Sequence, residues 1–155
     1  MGAVSASNTH TSHAVEQEQD LLRARAVLGA KGMRRTAARL AVLRHMFAAR
    51  GPESHAEVSA ALNRLGFDSA TIYRNLMELT RARILARIDL GDHVWRFEER
   101  RGARARGEAH PHFVCDGCGS VACLDSDYVR ISGSGRSSRV ARVSSITVKG
   151  RCRRC

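Results

Sequence analysis

Apolar residues recur at helical spacing through the first half of the chain and alternate at strand spacing beyond it. Gln17 to Ala30 has helical composition and runs out at Gly29 and Gly32. Thr36 offers an N-cap to TAARLAVLRHMFAA, in which Leu40, Leu43 and Phe47 share one face. Gly51-Pro52 breaks that helix, and Ser54 and Glu57 then have capping-box spacing ahead of a stripe of Val58, Ala61, Leu62 and Leu65, stopped by Gly66. Asp68 or Ser69 caps a further helix, ATIYRNLMELTRAR, which turns Ile72, Leu76 and Leu79 inward and leaves Ser69, Tyr73 and Arg74 off the buried stripe. ILARIDL and HVWRF follow as two short strands around the turn signal Gly91-Asp92. Three helices and then a hairpin is the order of a winged helix-turn-helix.

The remainder reads differently. Residues 1–16 are polar and without period, and read as a disordered tail ahead of a winged-helix domain over 17–98. ERRGARARGEA, at 99–109, has no apolar period and reads as a hinge. Within 110–155, HFVC and SVACL form strands on either side of Asp116-Gly117, and SSITVKG forms another that leads to Cys152. The intervening RISGSGRSSRVAR takes no firm assignment. The expectation is an α+β chain with a small C-terminal α/β domain.

Composition adds a partner class. The formal charge is +11, with six Lys/Arg and no acid in residues 31–50 and eight Lys/Arg and no acid in 130–155. Such an excess favours a polyanion, most simply nucleic acid, through release of condensed counterions. A solvated arginine-rich surface is the plainer alternative. No apolar run approaches the roughly 18 residues of a membrane span, so no membrane partner is expected. The N-terminus lacks a charged start followed by an apolar block, which points to a cytoplasmic protein.

The five cysteines carry the chemistry. Cys115-x-x-Cys118 and Cys152-x-x-Cys155 are two knuckles whose four thiolates can close a tetrahedral structural zinc site. Such a site leaves no open coordination position, and no nucleophile-base pair is evident, so an enzyme is not expected. Just before the first knuckle stand His110 and His112. In an extended strand, positions i and i+2 point to one face, so both imidazoles can reach one ion.

Taken together, TIYRNL in a winged helix, a hinge, then His110-x-His112-F-x-Cys115-x-x-Cys118-G and a terminal Cys-x-x-Cys resemble the ferric uptake regulator family of bacterial metal-responsive repressors. The resemblance covers about residues 20–155. It implies a homodimer with N-terminal DNA-binding and C-terminal dimerisation domains, closed onto a palindromic double-stranded operator by a divalent metal held between them. It assigns Tyr73 and Arg74 to the recognition helix, with Ser69 beside them, where arginine can pair with guanine and tyrosine can pack on a thymine methyl. Arg34 matches a basic residue that reaches the minor groove, and Arg39 is expected among the phosphate contacts. The structural zinc falls to Cys115, Cys118, Cys152 and Cys155. The regulatory metal falls to Glu98, His110 and His112, and to a fourth position that is usually a carboxylate.

Here that fourth position is Cys123. A thiolate ligand biases the site toward zinc, with iron or manganese next; a buried Cys that merely fills a strand position is the other reading. Many relatives place a histidine ahead of the capping-box helix where this chain has Pro52, and His55, three residues on, is the candidate substitute ligand. His93 on the wing is a further alternative. Two other functions stay open: an iron-based peroxide-sensing repressor, and a zinc-ribbon nucleic-acid-binding protein that senses nothing.

Overall fold

The computed structural model describes residues 8–100, 110–125, 127–129 and 145–155. Its elements run α1 (Asn8–Ala30), α2 (Ala37–Ala48), β1 (Glu53–Ser54), α3 (His55–Leu62), α4 (Ser69–Arg81), β2 (Leu85–Asp89), β3 (Trp95–Glu99), β4 (Pro111–Cys115), β5 (Val121–Cys123) and β6 (Ile146–Gly150). No helix among the described residues is long and apolar enough to cross a membrane.

Local side-chain chemistry sets the helix starts. Thr36 accepts a hydrogen bond from the Arg39 amide at the start of α2. Ser54 and Glu57 close the expected capping box on α3, and Asp68 accepts from the Thr71 amide at the head of α4. The Asp68 carboxyl lies below its ordinary range, chiefly because the Thr71 side chain and amide both bond it. Helix α1 ends where Gly32 takes a positive φ of 63° and the Met33 amide returns to the Leu28 carbonyl.

Three differences from the sequence reading stand out. Helix α1 starts at Asn8, nine residues before Gln17, so part of the expected tail is helical; residues 8–16 contain no Gly or Pro to stop it. The α2 stripe is Ala38, Val42, Leu43, Met46 and Phe47, with Leu40 only partly buried at its margin. Leu65, expected inside, is 59% exposed, because α3 gives way after Leu62 to a tighter turn that rotates it off the stripe.

One apolar cluster unites α1 to α4 with β2 and β3, from Ala24 and Leu28 to Phe97. The wing is a sheet of order β1-β3-β2, all antiparallel. Two-residue β1 escapes the sequence reading, being too short to show a period. Alternation along β3 sends Phe97 into the core, 1% exposed, and turns its neighbour Glu98 to the opposite face.

The second sheet has order β5-β4-β6, with β4 parallel to β6. Parallel strands end at the same side, and Cys115 at the end of β4 pairs in register with Gly150 at the end of β6. The two knuckles therefore emerge side by side. Among the described residues this C-terminal part contains no helix; of the hinge expected over 99–109, Glu99 ends β3, residues 101–109 lie outside the described residues, and so does all of RISGSGRSSRVAR.

Candidate metal centres

The Cys115, Cys118, Cys152 and Cys155 sulfurs all lie within 4.8 Å of one another. Individual separations are 3.8 Å for Cys115–Cys155, 3.7 Å for Cys118–Cys152 and 3.6 Å for Cys152–Cys155. A tetrahedron of sulfurs around zinc, at a zinc–sulfur length of about 2.3 Å, has edges of roughly 3.8 Å. The four residues thus fit a closed thiolate site. Gly117 makes the closure possible, since a Cβ there would stand 3.2 Å from the Cys155 sulfur.

The knuckle backbone also prepares the sulfurs for a cation. Amides of Cys118 and Cys152 point at Cys115, the latter at 3.3 Å, and draw its thiol down to about 6. The Ser120 hydroxyl, 3.3 Å from Cys118, holds that thiol below its ordinary value. Hydrogen bonding with the thiols of Cys118, Cys152 and Cys115 pushes Cys155 up to about 12. Four sulfurs this close cannot all ionise without a positive charge among them.

A second cluster lies between the sheets. Glu98, His110, His112 and Cys123 bring one ligand atom each within 4.8 Å of the others. His110 Nε2 and His112 Nε2 are each 3.2 Å from Glu98 Oε2, and the Cys123 sulfur is 3.6 Å from the same oxygen. His112 and Cys123 are register partners on β4 and β5, while Glu98 arrives from β3. The imidazoles are buried, at 7% and 4% exposure, with centroids 4.3 Å apart. Burial acts most strongly on the Glu98 carboxyl and would raise it. The bond from His112, the charges of both histidines and the bond from Cys123 outweigh burial and leave it lowered. Two nitrogens, an oxygen and a sulfur converging here suit a divalent ion of zinc's softness. Of the two readings open for Cys123, its sulfur stands at the cluster, on Glu98, and not in a wholly apolar recess.

A cavity of about 330 Å³ adjoins this cluster, lined by Met46 to Gly51, Glu98, Glu99 and Cys123. Gly51 was read in sequence only as a helix breaker. In the structure a Cβ on it would stand 3.1 Å from the Val121 carbonyl oxygen, so its bareness lets the α2–α3 connection lie on β5. No sequence signal distinguishes that close approach from an ordinary turn glycine.

His55 is not in the cluster, contrary to expectation. It opens α3, and its Nε2 meets the Ser69 carbonyl oxygen at 2.9 Å on α4. Pro52, at the place where relatives carry a histidine, is buried. His93 sits exposed at the wing turn with a positive φ of 59°, outside the cluster.

The exposed face of α4 presents Tyr73, 46% exposed, and Arg74, whose guanidinium bonds the Thr71 hydroxyl at 3.2 Å. Ser69 is exposed at the helix start, and Arg34 is exposed ahead of α2. Arg39 differs from its expected role. Its side chain turns inward, 13% exposed, to the Glu78 carboxylate and the Arg34 carbonyl, and so joins α2 to α4. A basic run in sequence cannot reveal an acidic partner 39 residues away.

A winged helix followed by a small mixed sheet, with one thiolate cluster inside that sheet and one mixed cluster beside the wing, defines a two-part protein with two candidate metal sites. The ferric uptake regulator family description matches residues 30–148, and the chain belongs to that family. The ferric uptake regulation protein of Bacillus subtilis is 38% identical over 58 residues, which is 37% of this chain and 38% of that relative's length. Among solved structures, the ferric uptake regulator of Helicobacter pylori superposes with a TM-score of 0.60 at 17% identity, over 90% of this chain and 93% of its own. A zinc uptake regulator in complex with zinc and DNA gives 0.61 at 20% identity, over 90% and 94%. At these identities the likeness is one of fold.

Proposed function

We propose that the protein is a metal-dependent transcriptional repressor that binds a double-stranded DNA operator as a homodimer, with zinc the favoured regulatory ion and iron or manganese next. The observation that carries this reading is the cluster of Glu98, His110, His112 and Cys123, because its ligands come from the wing and from the C-terminal sheet together. A bound ion supplies a shared positive charge that offsets the Glu98 carboxylate and the Cys123 thiolate. Glu98 then ties β3, and through Phe97 the core beneath α4, to the strand pair carrying His112 and Cys123. Any conformation that separates the sheets loses those contacts. Metal affinity and the orientation of the helix-turn-helix are therefore linked, and each biases the other.

The four cysteines form the structural zinc site, and residues 110–155 serve as the dimerisation domain. Tyr73, Arg74 and Ser69 face the major groove, and Arg34 the backbone or minor groove. The charge of +11 supports a DNA partner, and a winged helix supplies the geometry. The zinc uptake regulator solved with zinc and DNA supports both.

The test is anisotropy of labelled duplexes enriched by the protein from a random pool, during titration of zinc into protein holding one zinc per chain. Affinity should rise about 5- to 150-fold, the usual range of a coupling free energy, and saturate at one further equivalent. Affinity indifferent to the second equivalent and to chelation of it would leave a zinc-stapled DNA-binding protein with no metal response.

A further inference from the structure

His55 lies outside the metal cluster and is nonetheless held in place by the face of α4. Its Nε2 stands 2.9 Å from the Ser69 carbonyl oxygen and 3.1 Å from the Ser69 hydroxyl. Its ring meets the Tyr73 ring edge-on, with centroids 5.2 Å apart and planes at 70°. A carbonyl oxygen only accepts, so Nε2 carries the proton and donates to it. The Ser69 hydroxyl oxygen shares that proton as a second acceptor, and it lies 3.4 Å from Ser59 Oγ on α3, so the two hydroxyls can hydrogen-bond. His55 thus fastens the first turn of α3 to the first turn of α4 and walls one side of Tyr73, which is otherwise 46% exposed.

We infer that His55 is a positioning residue for sequence readout: it fixes Ser69 and the rotamer of Tyr73 so that the α4 face meets the DNA bases already ordered. The inference rests on the proposed DNA-binding function and deepens it. A half-exposed tyrosine on a helix has several accessible rotamers, and each must be surrendered on binding. An edge-on imidazole on one side and a main-chain anchor behind it limit that freedom before DNA arrives. The role needs neither a positive charge on the imidazole nor contact with DNA. The capping box of Ser54 and Glu57 is independent of the ring, so α3 keeps its start in variants of His55.

The experiment uses full-length, zinc-loaded protein with a duplex enriched from a random pool and with a scrambled duplex of the same composition. His55→Ala should weaken binding to the enriched duplex about 3- to 10-fold, the worth of one neutral hydrogen bond. Binding to the scrambled duplex, and the dependence of affinity on salt, should not change, because no phosphate contact is removed. His55→Gln, whose amide nitrogen reaches about as far as Nε2, should restore most of the loss; His55→Asn, which ends one bond short, should not. In a Tyr73→Ala background His55→Ala should cost less than it does alone, the remainder being its hold on Ser69, and a cost undiminished there would overturn the part assigned to Tyr73. Equal loss on both duplexes, no loss on either, a reduced salt slope, or no recovery in His55→Gln would each overturn the inference while leaving the DNA-binding function standing. A wild-type protein that enriches no sequence would overturn both.

Discussion

The two candidate metal centres are assembled in opposite ways. The four cysteines come from two tight turns at the ends of neighbouring parallel strands, so their geometry is complete within the C-terminal sheet. Glu98 comes from β3 of the wing, whereas His112 and Cys123 lie on β4 and β5 and His110 directly precedes β4, so the full set of four ligands draws on both sheets. A site closed within one unit can stabilise that unit and report nothing about its neighbour. A site that needs both must respond to their relative placement. Under the proposed function, this difference in construction matches a structural role for the first and a regulatory role for the second.

The comparison breaks most sharply at the cysteines. Cys118→Ser should remove the zinc and with it the folded C-terminal sheet, since metal-linked folding energies for such sites are on the order of 10 kcal/mol. Metal content by mass spectrometry and protease resistance of residues 110–155 would check this. A folded, protease-resistant variant lacking zinc would show that the sheet stands without its staple.

His112→Ala should leave that zinc and the fold intact and abolish the second ion. Operator affinity should then fall by the full coupling factor, roughly 5- to 150-fold, measured by anisotropy at saturating zinc. A variant whose operator affinity still rises with added zinc contradicts the assignment of His112.

How far these centres could be read beforehand differs between them. Cys-x-x-Cys and His-x-His spacings follow from turn and strand geometry, so residues 110–118 were legible as they stand. The capping box of α3 and the α4 stripe were legible for the same reason, each being set within one or two turns. Contacts between distant segments were not. Arg39 reads as a surface cation until Glu78 is placed beside it, and His55 reads as a spare ligand until α4 brings Ser69 and Tyr73 against it. Leu65 follows the helical period into a turn where that period no longer holds. Gly51 shows its function only when β5 lies 3.1 Å from where its Cβ would be.

Smaller effects sharpen the contrast further. Gly51→Val should force the α2–α3 connection off the Val121 carbonyl and weaken the seating of the wing against the second sheet. The thiolate zinc should be unaffected, while affinity for the second ion falls by about 10-fold, readable by competition with a chelator of known strength. Cys123→Asp should keep two ions per chain but shift preference from zinc toward iron or manganese, because it exchanges the soft ligand for a hard one. Unchanged metal preference would return Cys123 to a packing role. Ser54→Ala, which removes the cap on α3, should cost about 1 kcal/mol in thermal stability and leave metal content as it was.

Native mass spectrometry of the protein with its enriched duplex, during a zinc titration, joins all of this in one spectrum. The account predicts that free dimer fills first to one zinc per chain, and that DNA-bound dimer becomes abundant only with two. DNA-bound dimer carrying one zinc per chain, at the abundance reached with two, would contradict it.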